Sequence, residues 1–326
     1  MSVNVCVDNL PAIMTPGGRV PFPTLCWRGK LAKAHMAVQT VFWPSCIMDR
    51  PVFDQLAVAA AGGFDALAIA PMAIKNALAS GLSLRDLRER AQELGVIFSH
   101  LDGISGWLPA WHPIEGDPIF NDYIRQRFNI DTQEALDLGA ELDIEAIVAV
   151  GAFDRGMLDR ETVLRGFADI CAAAQTRGMR TALEFIPFWG IPEFVDAWDI
   201  VSTVGHAGSG LVLDTWHMQR GSTDFDRDLA CLVAMPDDCP FDIQLADALP
   251  GTAWKELLPD TNYRGFPGDG SLDIARMVSP VMDRGALRSI GPEVFGEAVS
   301  ALPLEALGRR SGETTRRALA DAGANA

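Results

Sequence analysis

The chain has 326 residues, of which 48% are hydrophobic and 21% charged, and 43 acidic residues against 27 basic ones give a formal net charge of −16. That balance argues against nucleic-acid partners, which need a basic footprint to neutralise phosphates, and against an anionic membrane surface. No apolar run reaches the roughly 18 residues needed to span a bilayer, and the length suits two average domains or one large α/β barrel.

Residues 1–33 contain Pro11, Pro16, Pro21 and Pro23 and show no sustained period. They are expected to form an irregular N-terminal arm. The opening "MSVNVCVDNLPAIM" lacks a basic segment followed by an apolar one, so no signal peptide is expected and the protein is assigned to the cytoplasm. From residue 34 to 326 a single rhythm takes over. Short apolar runs fall at 35–43, 65–70, 95–103, 145–153, 180–188, 210–217, 241–247 and 289–297. Most are nearly continuous in hydrophobicity, as parallel strands covered on both faces must be. Amphipathic stretches separate them. "PVFDQLAVAAAGG" (51–63) starts on proline and ends in glycines, and "SLRDLRERAQELG" (83–95) offers Ser83 and Gly95 as caps. Helices are also expected at 161–178 and 192–205.

Eight strands alternating with helices predict an α/β protein, a single (β/α)₈ TIM barrel. A doubly wound sheet is the alternative, but "TVFWPSCIMDRP" after the first strand carries no GxGxxG turn. "GDGSLD" (268–273) follows no strand and reads as a loop. Lysine occurs only at Lys30, Lys33, Lys75 and Lys255, none clearly at a strand end, which argues against a Schiff base. The six cysteines, Cys6, Cys26, Cys46, Cys171, Cys231 and Cys239, form no CxxC pair and read as reduced thiols.

Barrel active sites form where strands end. Four late strands place a polar group there: Glu184 in "ALEFIPF", Asp214 in "LVLDTWH", Gln244 in "DIQLAD" and Glu293 in "GPEVF". Each alone has an ordinary reading: a solvated strand residue, a helix N-cap, a core amide. Together they place three carboxylates and an amide on neighbouring strands about 5 Å apart. Such a set repels itself unless a cation sits within it. An all-oxygen donor set favours Mn²⁺ or Mg²⁺ over Zn²⁺. His217, three residues past Asp214, is expected to face a substrate rather than a metal.

The stretch "TALEFIPF … GLVLDTWHMQRG … DIQLAD … RGFPGDGSLDI … GPEVF" resembles the xylose isomerase-like barrel superfamily, also labelled sugar phosphate isomerase/epimerase. The resemblance runs from about His35 to Glu297. It implies one divalent metal held by Glu184, Asp214, Gln244 and Glu293, a substrate contact for His217, and an arginine, Arg264, brought over the site. Glutamine at 244, where ketose epimerases usually carry histidine, resembles the 3-dehydroshikimate dehydratase branch. The resemblance also suggests a homo-oligomer.

A metal site of this kind supports proton abstraction beside a carbonyl, with Glu184 or Glu293 moving the proton and His217 available as an acid. The expected activity is a metal-dependent isomerase or epimerase of a polyhydroxylated carbonyl compound. A dehydratase of the 3-dehydroshikimate or inosose type is the alternative. A sugar-binding barrel without catalysis and an apurinic endonuclease are the remaining rivals, and five histidines and the negative charge disfavour the latter. Trp43, Trp107, Trp111, Trp189 and Trp216 all follow predicted strands and are expected to offer aromatic faces to a sugar ring, although each also reads as plain packing. His100 and Asp102 in "FSHLDG" close the third strand and are further substrate-contact candidates.

Overall fold

Alternation within each apolar run decides which side chain fills the barrel and which packs against the outer helices. A computed structural model of the protein describes residues 38–250 and 256–323. Its strands are β1 (Gln39–Phe42), β2 (Ala66–Ile69), β3 (Ile97–Ile104), β4 (Ala146–Val150), β5 (Arg180–Glu184), β6 (Ser209–Asp214), β7 (Phe241–Leu245), β8 (Asp247–Ala248), β9 (Arg264–Gly265) and β10 (Leu287–Pro292). Strands β1 to β7 and β10 close into one parallel barrel, in which β10 lies between β7 and β1. Strands β8 and β9 form a separate antiparallel ribbon. The predicted (β/α)₈ barrel is therefore the observed fold.

Val41, Ala68, Val148, Ala182 and Val212 share one buried cluster inside the barrel. Their neighbours Phe42, Ile69, Ile147, Leu183 and Leu211 belong to the larger layer between strands and helices. Burying each such aliphatic side chain contributes about 1.5–3 kcal/mol, so both faces of every strand must be apolar. Capping follows the sequence signals. Ser83 and Asp86 form a reciprocal capping box at the start of Leu84–Leu94, and Gly95 ends that helix at φ 69°. The helices Val52–Gly62, Arg160–Gln175 and Phe194–Val204 occupy the other predicted stretches.

Four predicted strands end three or more residues before their apolar runs do. β4 stops at Val150, β5 at Glu184, β6 at Asp214 and β10 at Pro292. At β6 the cause is chemical: the Asp214 carboxylate caps the helix Thr215–Arg220, so Trp216 and His217 leave the strand direction. The segment between β3 and β4 also holds two helices, Pro118–Arg127 and Thr132–Glu141, which the apolar rhythm does not mark. The arm at 1–33, Cys6, Cys26, Lys30, Lys33 and Lys255 lie outside the described residues. Cys46, Cys171, Cys231 and Cys239 are free, and Lys75 pairs with Glu134 at the surface. No helix among the described residues is long and apolar enough to cross a membrane.

The closure between β10 and β1 depends on a glycine. A Cβ on Gly291 would lie 1.6 Å from the carbonyl oxygen of Val41, with no flexible side chain to yield. Gly291→Ala is expected to cost about 3 kcal/mol or more, because overpacking against backbone cannot relax. Denaturant midpoints of the two proteins would measure it, and an unchanged midpoint would contradict this account of the closure.

Candidate active site

The last residue of β5 is Glu184 and the last of β6 is Asp214. Gln244 on β7 stands in register with Asp214 on β6 and with Gly291 on β10. Glu293 follows β10 directly and anchors its backbone N–H on the Leu245 carbonyl at 2.8 Å. The barrel thus delivers all four residues to its C-terminal end, each buried.

Asp214 uses its two oxygens differently. Oδ1 accepts from the backbone N–H groups of Trp216 (2.6 Å) and His217 (2.9 Å). Oδ2 remains for the site, where Arg264 Nη1 donates to it at 2.5 Å. The same nitrogen lies 3.3 Å from Glu293 Oε2, and Ser45 Oγ donates to Glu293 Oε1 at 2.9 Å. Donor atoms of Glu184, Asp214 and His217 all fall within 4.8 Å of one another. Gln244 is wholly buried, yet neither its Oε1 nor its Nε2 has a hydrogen-bond partner among the described residues. A buried amide left unpaired loses about 1–3 kcal/mol for each unmet group, so this side chain is placed for something other than packing.

Electrostatics separates the acids. Burial, reinforced by Glu293, Asp102 and Asp214, holds the Glu184 carboxyl well above its ordinary range. Burial and the charge of Asp214 do the same to Glu293. Burial pushes Asp214 upward too, but Arg264 and His217 outweigh it and keep that carboxyl below its usual value. His217 is drawn down to about 3, by burial first and by Arg264, against the pull of Asp214. Its imidazole is therefore neutral at pH 7. Arg264 Nη2 lies 2.9 Å from His217 Nε2. A guanidinium only donates, which assigns the Nε2 lone pair as acceptor and the proton to Nδ1. That Nδ1 faces Glu184 Oε1 at 3.3 Å. Nδ1 makes no hydrogen bond among the described residues.

Arg264 stands at the first position of β9 and is 2% exposed. Its guanidinium lies 4.7 Å from the ring centroids of both Trp216 and Phe295, an orientation reinforced by cation–π attraction and by Thr261 Oγ1 at 2.7 Å. Glu184, His217, Arg264, Glu293 and Asp102 line a cavity of about 620 Å³. That size suits a sugar-sized ligand.

Several expected contacts are placed elsewhere. Among the five tryptophans only Trp189 is in the cavity wall. Trp216 is fully buried beneath Arg264, because the Asp214 cap turns it away from the mouth. Trp43 packs against His100 inside the barrel, Trp107 against Phe167, and Trp111 against His112. His100 is tied to Asp242 and Ser99 in the interior and does not line the cavity, whereas Asp102 does. Ser45, Thr261 and Phe295 orient the acids and the arginine without having stood out in the sequence. The position of Ser45 just past β1, at the same end as every site residue, is the signal that marks it.

A family model described as xylose isomerase-like TIM barrel matches residues 56–318. The chain belongs to that family. It is 27% identical over 259 residues to a 3-dehydroshikimate dehydratase of Pseudomonas aeruginosa, a match covering 78% of this chain and 37% of that protein. It is 25% identical over 184 residues to an inosose isomerase of Halalkalibacterium halodurans, covering 53% of this chain and 61% of that protein. The chain thus spans little more than a third of the dehydratase and just under two thirds of the isomerase. A solved IOLI protein with a bound zinc atom superposes with a TM-score of 0.69 at 19% identity, over 87% of this chain and 98% of that one.

Proposed function

We propose that the barrel is a divalent-metal-dependent enzyme that removes a proton beside the carbonyl of a small polyhydroxylated substrate and then expels a β-hydroxyl as water. The observation that carries this reading is the buried, unpaired Gln244 amide at the strand position in register with Asp214. An amide oxygen and three carboxylates form a hard donor set. Glu184, Asp214, Gln244 and Glu293 would hold the ion, with Mn²⁺ or Mg²⁺ preferred. When bound, such a cation supplies Lewis-acid polarisation of a carbonyl.

The chain's own groups supply the proton traffic. Glu184, whose carboxyl is held above its ordinary range by burial and by Glu293, Asp102 and Asp214, is the group that accepts the carbon-bound proton. Glu293 is steadied by Ser45 and Arg264, and the Nδ1–H of His217 faces Glu184. In dehydration the C–H pair becomes the new double bond, the β C–O bond breaks, and the proton on Glu184 leaves with the hydroxide as water. In isomerisation the same proton returns to carbon instead. Dehydration is preferred on Gln244, the residue that resembles the dehydratase branch, and on the likeness to the Pseudomonas dehydratase across the barrel.

The test is metal reconstitution followed by proton NMR in D₂O with 3-dehydroshikimate, inososes and ketoses. Elimination that requires Mn²⁺ and stops with a chelator is the expected result. Deuterium uptake without elimination would select the isomerase reading, and full exchange in chelated protein would overturn both. Metal at 100 times its Kd should also raise folding stability by about 2.7 kcal/mol, visible as a chelator-reversible shift in the thermal melt.

A further inference from the structure

Two donors at the cavity share one poor acceptor. The helix Pro118–Arg127 carries Tyr123 and Arg127 four residues apart, hence on one face. Tyr123 Oη lies 2.9 Å from the Sδ of Met48, and Arg127 Nη1 lies 2.6 Å from the same sulfur. All three side chains line the cavity that contains Glu184 and Glu293. A thioether is a weak acceptor, whereas a guanidinium offers a planar fork of donors matched to a carboxylate. No ion pair among the described residues includes Arg127, while the other two cavity arginines are engaged, Arg264 with Asp214 and Glu293 and Arg50 with Asp54. Arg127 is close enough to Asp102 to oppose the upward push of burial on that carboxyl, which sets its charge within reach of the acid cluster. Met48, with three rotatable bonds, is easily displaced.

We propose that Arg127 and Tyr123 anchor a carboxylate of the substrate, whose oxygens take the place of the Met48 sulfur. The proposal rests on the acid cluster being the reacting centre, and it narrows the substrate to a polyhydroxylated carbonyl acid. One fork and one hydroxyl match two carboxylate oxygens. A phosphate dianion would bring a second negative charge toward Asp102, Glu184 and Glu293, and among the described residues the other cavity arginines, Arg50 and Arg264, are already paired.

Titration calorimetry with 3-dehydroshikimate and with its methyl ester tests the anchor on the full chain. Charge-assisted hydrogen bonds of this kind correspond to about 10-fold or more in affinity. The wild type should bind the acid at least about 10-fold more tightly than the ester. Arg127→Met should lose at least about 10-fold for the acid and under about 2-fold for the ester, and Tyr123→Phe about 3-fold for the acid alone. Thermal melts check that both variants fold. Equal losses on acid and ester overturn the anchor, as does a wild type without preference or without binding of either. Selective binding of the acid with no Mn²⁺-dependent elimination or exchange supports the anchor and overturns the proton-transfer reading instead.

Discussion

Glu184→Gln is expected to lower metal-dependent elimination and solvent exchange by about 10³-fold, the range set by removing a general base and close to 4 kcal/mol of barrier. Glutamine keeps the shape and one oxygen donor but cannot take the proton. Stability should move the other way. Glu184 is a buried carboxyl raised by burial and by Glu293, Asp102 and Asp214, so making it neutral relieves repulsion in chelated protein. The variant should therefore melt no lower than wild type when both are chelated, while gaining less from added Mn²⁺. Initial rates by NMR and chelated melting curves read both effects. Exchange within about 10-fold of wild type would remove Glu184 from the base role. A collapse in chelated stability would recast it as a structural residue.

Why Glu184 was legible at all is a matter of repetition. Each βα unit repeats one strand buried on both faces, so a single polar residue at the end of an apolar run is conspicuous, and Glu184, Asp214 and Gln244 recur 30 residues apart. The barrel itself was readable for the same reason. Contacts between distant segments were not. Ser45 reaches Glu293 across 248 positions, and Tyr123 and Arg127 meet Met48 across 75 and 79. No local period encodes such meetings. Trp216 shows a subtler limit. Its position after an apolar run suggested the cavity wall, but Asp214 serves as cap and site residue at once, and that second duty turned the tryptophan under Arg264. His100 was misplaced because its partner Asp242 comes from a strand 142 residues later in the chain.

That partner carries the other large effect. Asp242→Ala is expected to destabilise the protein by about 3–5 kcal/mol, the cost of breaking a buried ion pair from one side. Asp242 is wholly buried. Its Oδ1 accepts from Arg180 Nη2 at 2.6 Å and from Ser289 Oγ at 2.6 Å, and lies 3.2 Å from His100 Nε2; Arg180 Nη1 binds its Oδ2. Removing the carboxylate leaves Arg180 without the only ion-pair partner it has among the described residues. Burial pushes the Asp242 carboxyl up, but Arg180 and His100 outweigh it and hold it far below the ordinary range. A folded pKa below the unfolded value of about 3.9 contributes stability above that value and loses it as pH falls toward the folded pKa. The gap between wild type and Asp242→Asn in urea melts should accordingly be widest from pH 5 to 7 and narrow below about pH 4. A gap that stays constant or widens on acidification would mean that packing, rather than the charge of Asp242, holds these four strands together.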